Sequence, residues 1–180
     1  MDNFLFFKRK NKLAEIFNAN FSTLHFYSTP PLYNSLIMFI GEYQHTIDLK
    51  GRLAVPAKFK VKLVKGAVVT RGLDSCLFLY PLDEWKTLAD RLSKLPISKA
   101  NTRAFARLML AGAMDVSLDK QGRIILPDYL RKYAGIAKKV IIAGLYNRLE
   151  IWDEAKWEIY KRGTEKISGD IAEQLGELGV

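Results

Sequence analysis

Asp48-Leu49-Lys50-Gly51-Arg52-Leu53-Ala54-Val55-Pro56 returns 71 positions later as Asp119-Lys120-Gln121-Gly122-Arg123-Ile124-Ile125-Leu126-Pro127. Both strings read D-x-x-G-R, then three apolar residues and a proline. One such string carries little information, but two at a fixed offset with matching flanks mark an internal duplication. Gly72-Leu73 aligns with Gly144-Leu145, Leu79-Tyr80 with Ile151-Trp152, and Trp85 with Trp157, now 72 apart. One residue is therefore inserted after the helix-like segment of the second copy. The unit runs from Gly41 to Trp85 and again from Gly112 to Trp157, while Lys86 to Ala111 has no counterpart.

Local chemistry gives each unit the same order of elements. Gly41 to Ile47 has the Tyr, Thr and Ile content of a strand. Asp48 to Gly51 is a tight turn, since an aspartate folds its carboxylate onto nearby amides and glycine takes positive φ freely. Arg52 to Val55 is a second strand, and Pro56, which lacks an N–H, starts a short basic helix over Ala57 to Val64. Ala67 to Thr70 and Leu77 to Tyr80 form a hairpin around Gly72-Leu73-Asp74-Ser75, and Asp83-Glu84-Trp85 opens a helix. The second copy repeats the order. Met114 to Leu118 and Arg123 to Leu126 are strands around the turn Asp119-Lys120-Gln121-Gly122. Asp128 to Tyr133 is a helix, and the hairpin turns at Gly144 to Asn147. Asp153 is placed to cap the helix that contains Trp157. Between the copies, Leu82 to Leu95 and Lys99 to Ala111 read as helices parted by Pro96, with Phe105, Leu108 and Met109 as a core-facing stripe. The segment after Ser168 lacks strong periodicity and is expected to fray.

A net charge of +9 favours an anionic partner such as nucleic acid. The single cysteine, Cys76, excludes an intrachain disulfide and fits a reducing compartment; its apolar neighbours make it a buried filler. The first 37 residues hold six of the ten phenylalanines and no glycine. Their apolar and basic segments stand in the reverse of signal-peptide order, and the later apolar run is broken by Pro30-Pro31, which makes it a poor membrane span. Residues 1–37 are therefore read as an upstream leader ahead of Met38, with +7 remaining once it is removed. Each copy alone is about as small as a domain that struggles to bury a core, so the copies are expected to share one.

The paired D-x-x-G-R-h-x-h-P strings, each followed by a helix and a hairpin ending near a tryptophan, resemble the MraZ family. So does the opening Met38-Phe39-Ile40-Gly41. The resemblance covers Met38 to about Ile167 and includes the family's D-x-x-x-R signature as Asp48/Arg52 and Asp119/Arg123. It implies an α+β fold, a tandem AbrB-like swapped-hairpin β-barrel of the SpoVT-AbrB type, pseudo-two-fold within one chain, with flanking helices. The implied organisation is a leader (1–37), repeat 1 (38–85), a helical connector (86–111), repeat 2 (112–157) and a C-terminal helix and tail (158–180). It further implies a ring-shaped homo-oligomer that binds double-stranded operator DNA upstream of its own operon. The implied protein is a cytoplasmic, nucleoid-associated repressor of the division and cell-wall gene cluster.

Among single residues, Arg52 is the first candidate for DNA contact, because a strand after a tight turn presents its guanidinium rigidly to phosphate or guanine. The competing reading is an ion pair with Asp48 or a neighbouring acid. Arg123 is its equivalent by duplication. Lys50 and Lys120 supply phosphate ligands, and Gln121 in place of a lysine makes the first copy the stronger reader. Asp48, Asp119, Gly51 and Gly122 are turn builders, the aspartates also orienting the arginines. Lys58, Lys60 and Lys62 are spread around a helix and read mostly as a solvated face. Trp85, Trp152 and Trp157 are core or interface anchors. His45 has no metal-ligand partners at useful spacing, no cofactor is called for, and no nucleotide, hydrolase or metalloprotease string is present. The alternatives to a DNA-binding regulator are an AbrB-fold scaffold or antitoxin-like partner of another protein and, more remotely, an enzyme. Mass spectrometry of the cellular protein is expected to find Met38 at its N-terminus; finding Met1 would overturn the leader.

Overall fold

The computed structural model describes residues 38–176; the expected leader lies outside the described residues. The strands are β1 (Phe39–Thr46), β2 (Arg52–Ala54), β3 (Ala67–Arg71), β4 (Leu77–Pro81), β5 (Met114–Val116), β6 (Arg123–Ile125), β7 (Lys139–Tyr146) and β8 (Arg148–Asp153). A 3₁₀ turn over Ala57–Phe59 leads into α1 (Lys60–Leu63), followed by α2 (Leu82–Ser93) and α3 (Ala100–Ala106). The C-terminal half adds α4 (Asp128–Ala134), α5 (Glu154–Lys166) and α6 (Ser168–Gly176). Asp153 caps α5 through its carboxylate, which accepts from the Ala155 amide. A defined helix, α6, occupies the segment expected to fray.

The six-stranded antiparallel sheet runs β1-β7-β8-β4-β3-β5, and a separate ribbon pairs β2 with β6. Under the duplication, β1 corresponds to β5, β2 to β6, β3 to β7 and β4 to β8, so the strand order is a palindrome. Every pairing that joins the repeats has a symmetric counterpart: β1–β7 mirrors β3–β5, while β2–β6 and β4–β8 lie on the pseudo-two-fold axis. The first strand of each copy therefore pairs with the third strand of the other rather than with its own neighbour across the D-x-x-G-R turn. Within repeat 1, a single bridge, Ile47 to Leu53, spans that turn. No closed barrel is traced by the ladders among the described residues. The large sheet stays open at β1 and at the three-residue β5, and the ribbon lies apart from it.

Register corrects the alignment of the copies. Tyr43 faces Ile142 and Met114 faces Val69, so with Met114 71 residues after Tyr43, Ile142 is the counterpart of Val69 at an offset of 73. Burial agrees: Ala67, Val69, Val140 and Ile142 all enter the main core, whereas Val68 and Ile141 face the other way. The matching of Gly72 with Gly144 is thus one place out of step. Two residues are gained before β7 and one is lost in the hairpin. β7 runs on through Gly144 to Tyr146, whose φ of 61° lets the chain reverse at Asn147. The first hairpin takes a wider turn, with Asp74 and Ser75 at positive φ.

The main core lies between sheet and ribbon. It joins Leu53 and Ile124 from the ribbon, Leu77, Leu79, Leu149 and Ile151 from the central strands, and Phe59, Leu63 and Leu130 from the helical turns. A second cluster covers the opposite face of the sheet, where Cys76, Phe78, Tyr80, Ile141 and Trp152 meet Leu92 and Met109, with Trp85 and Trp157 packed alongside. Burial, reinforced by Glu150 and Asp74, pushes the Cys76 thiol well up, as befits a filler rather than a nucleophile. At Phe78's counterpart stands Glu150, 7% exposed; it pairs with Arg148 at 2.9 Å and accepts from the Trp152 indole at 3.1 Å. Arg148 in turn lies over the Phe78 ring. The connector departs from a plain helix: Arg107–Ala111 forms a π turn, and Thr70 donates to the Met109 carbonyl at 2.6 Å. The wider turn carries Met109 inward and leaves Phe105 40% exposed, which breaks the expected stripe.

Because Leu53 is fully buried where the two copies meet, Leu53→Ala is expected to cost about 2–5 kcal/mol in a denaturant titration. A loss under 1 kcal/mol, on the order of a surface change, would contradict a shared core.

Candidate nucleic-acid interface

Each D-x-x-G-R turn is built by its aspartate. Asp48 Oδ1 accepts from the amides of Lys50 and Arg52, both at 2.9 Å, and Oδ2 accepts from Arg52 Nε at 2.6 Å. Asp119 repeats the pattern with the amides of Gln121 and Arg123 at 2.9 Å and with Arg123 Nε at 2.8 Å. The backbone closes both turns in the same way, with Gly51 N donating to Asp48 O and Gly122 N to Asp119 O. The glycines adopt φ of 76° and 73°, the left-handed region that disfavours a Cβ. Hydrogen bonds to the negative form favour it, so both carboxyls sit below their usual range, the amide of the arginine being the largest cause in each. Asp119 falls from 3.8 to about 2.

The ribbon then sets the two arginines together. Arg52 faces Ile125 and Ala54 faces Arg123, so Arg52 and Arg123 are diagonal neighbours on antiparallel strands. Diagonal neighbours share one face at roughly 7–8 Å. Leu53 and Ile124 occupy the opposite face and are buried. The same alternation that sends the leucine and isoleucine into the core thus turns both guanidiniums outward. Their side chains are 32% and 26% exposed, so the clamp leaves both reachable. Lys50 and Lys120 stand exposed beside them, without a salt-bridge partner among the described residues. The two copies hold their arginines alike, so a difference between them as readers rests on Lys50 facing Gln121 in the alignment.

Each turn is also completed by the other copy. Val55 N donates to Gly122 O at 3.1 Å and Leu126 N to Gly51 O at 2.8 Å. Lys60, on α1 of the first copy, reaches turn 2 and donates to Gln121 O at 3.2 Å. Arg131, on α4 of the second copy, lies against Gly51 of turn 1 and donates from Nε to Leu126 O at 3.2 Å. The three lysines that the sequence spreads around a solvated helix face have separate partners: Lys58 lies over Tyr43 and Phe59, Lys62 lies over Phe39, and Lys60 joins the site. Arg131 was missed because its partner turn is in the other repeat; the only hint was its position 71 residues after Lys60. His45 is half-buried and shifted down by desolvation. No cluster of metal-ligating side chains occurs among the described residues, and none of their helices is long and apolar enough to cross a membrane.

These features define a duplicated α+β chain that carries a two-turn cationic site on the seam between its copies. A family profile described as "MraZ protein, putative antitoxin-like" matches residues 38–108 and 109–175. The chain is 48% identical over 143 residues to a protein of Natranaerobius thermophilus and 50% identical over 143 residues to one of Pediococcus pentosaceus. It is 49% identical over 144 residues to one of Acetivibrio thermocellus. Each match covers 79% of this chain and all of the relative, and each relative is named "Transcriptional regulator MraZ". The chain belongs to the MraZ family, whose named members are regulators and not enzymes.

The carboxylate shift fixes a sign for acid sensitivity. A group whose folded pKa is depressed contributes stability that is complete above its unfolded value and is lost as pH falls through the folded one. The Asp119 contribution is therefore lost between pH 3.8 and about 2. Asp119→Asn is expected to flatten the fall of the urea midpoint over that window. A variant with the native pH slope would show that the turn does not depend on the ionised carboxylate.

Proposed function

We propose that the protein is a sequence-specific DNA-binding transcriptional repressor of the division and cell-wall gene cluster that includes its own gene. The observation that carries this reading is the placement of Arg52 and Arg123 on one outward face of the cross-repeat ribbon. Two guanidiniums held in fixed orientation suit bidentate contacts to guanine edges or phosphates, and exposed Lys50 and Lys120 suit the backbone on either side. The net positive charge draws the protein to any duplex, and the orientation of the arginines supplies the selection. Asp48 and Asp119 serve recognition indirectly, by fixing the arginines before DNA arrives. The reading includes a ring of identical copies, with the exchange of strands between repeats understood as the swapped-hairpin arrangement. A ring would set several ribbons along repeated operator sites, so that weak contacts add through effective concentration. Such a protein works in the cytoplasm on the nucleoid and needs no cofactor.

In a gel-shift titration with duplex from upstream of the chain's own gene, Arg52→Ala is expected to weaken binding by tenfold or more, about 1–3 kcal/mol for each lost bidentate contact. Its melting temperature should stay near the native value, because the guanidinium lies outside the core. Native affinity in the variant would remove this site from DNA binding. Tight, salt-insensitive binding to a protein with none to duplex would favour the scaffold or antitoxin-like alternative.

A further inference from the structure

We infer that Lys60 and Arg131 are DNA phosphate ligands, each delivered by one copy to the recognition turn of the other, so that neither turn is a complete binding site within its own repeat. This inference rests on the DNA-binding reading above. The two residues are equivalents by duplication, 71 positions apart, and each lies against the turn glycine of the other copy, although only the Lys60 hydrogen bond crosses to that copy. A Cβ built on Gly122 would run into the Lys60 side chain; one built on Gly51 would meet the Leu126 carbonyl oxygen first, at 2.9 Å, and Arg131 Nε next, at 3.3 Å. Gly122 thus has two reasons to be glycine, its positive φ and the space that Lys60 fills; at Gly51 the positive φ is joined by the close Leu126 carbonyl, with Arg131 packed just beyond.

Charge separates a phosphate ligand from a simple packing role. Lys60 has no carboxylate partner among the described residues; its single hydrogen bond, to Gln121 O, engages one of three ammonium donors. Arg131 touches Asp128 at a long 3.3 Å, while Lys132 holds that same carboxylate at 2.7 Å. Asp48 and Asp119 are occupied with Arg52 and Arg123. Beside the two turns, Lys50, Lys120 and Lys60 are thus left without a counter-charge. A cation already held by a carbonyl loses little side-chain entropy when an anion arrives, which favours phosphate over mobile counterions. Phosphate contacts position a protein without reading sequence, so this pair should add affinity to every duplex equally.

The test is a sodium chloride series of fluorescence-anisotropy titrations on the full chain. One duplex covers the region upstream of its own gene and the other has unrelated sequence. Lys60→Ala and Arg131→Ala are expected to weaken binding to both duplexes by a similar factor. Each should also make the slope of log affinity against log salt shallower by about 0.9 per lost phosphate contact. Arg131→Lys should keep the native slope, since the charge remains although the fork geometry is lost. Lys94→Ala, which removes a cation paired with Asp90 on α2, should leave both affinity and slope unchanged. Folded Lys60→Ala and Arg131→Ala variants with the native slope would overturn the inference. So would an Arg131→Lys variant that loses as much as the alanine and melts early, because that is the signature of packing alone. If Arg52→Ala abolishes operator binding while these slopes stay native, this inference fails and the DNA-binding reading stands. If the native chain binds neither duplex in a salt-dependent way, both fail.

Discussion

The pairing of β2 with β6 is the contact on which the site depends. Three residues on each side are enough because the ribbon is extended by hydrogen bonds from Val55 to Gly122 and from Leu126 to Gly51. Leu53 and Ile124 lock its inner face to the sheet, and period-two geometry leaves Arg52 and Arg123 no place but the outer face. A one-residue slip would bury the arginines and expose the core pair, so hydrophobic burial fixes the register that creates the cationic face. Stability and site geometry are set by the same six residues.

The aspartate in each turn sits close to where a negative partner would bind, and Coulomb repulsion argues against placing it there. Its geometry resolves the conflict. Each carboxylate spends its lone pairs on two amides and a guanidinium, and the ion pair is partly exposed, where water screens its charge. What remains is orientation: a long, flexible side chain is reduced to a narrow range of directions before any ligand arrives. An exposed ion pair of this kind adds little to stability on its own, and its value here lies in lowering the entropy lost on binding.

Much of this was legible in the sequence because it is local. The turn chemistry of Asp and Gly, the proline that opens the first helical segment of each copy, the Asp153 cap and the duplicated strand order all arise from interactions within a few residues. What was hidden is relational. The repeat reveals two similar units but not that β1 pairs with β7, and matching glycines placed the hairpins one residue out of step. Lys60 looked like one of three interchangeable surface lysines until the fold brought the other copy's turn beneath it. Phe105 fitted an apolar stripe that a π turn then rotated out of line. Glu150 is legible only as a partner of Arg148 and Trp152, since nothing in its neighbours marks a buried carboxylate.

The most direct measurement is the structure of the full chain bound to duplex DNA from upstream of its own gene. The account predicts that the outer face of the β2–β6 ribbon lies against the DNA, with Arg52 and Arg123 of a bound protomer both contacting bases or phosphates. A complex in which the duplex rests on another surface, with both arginines still turned to solvent, would contradict it.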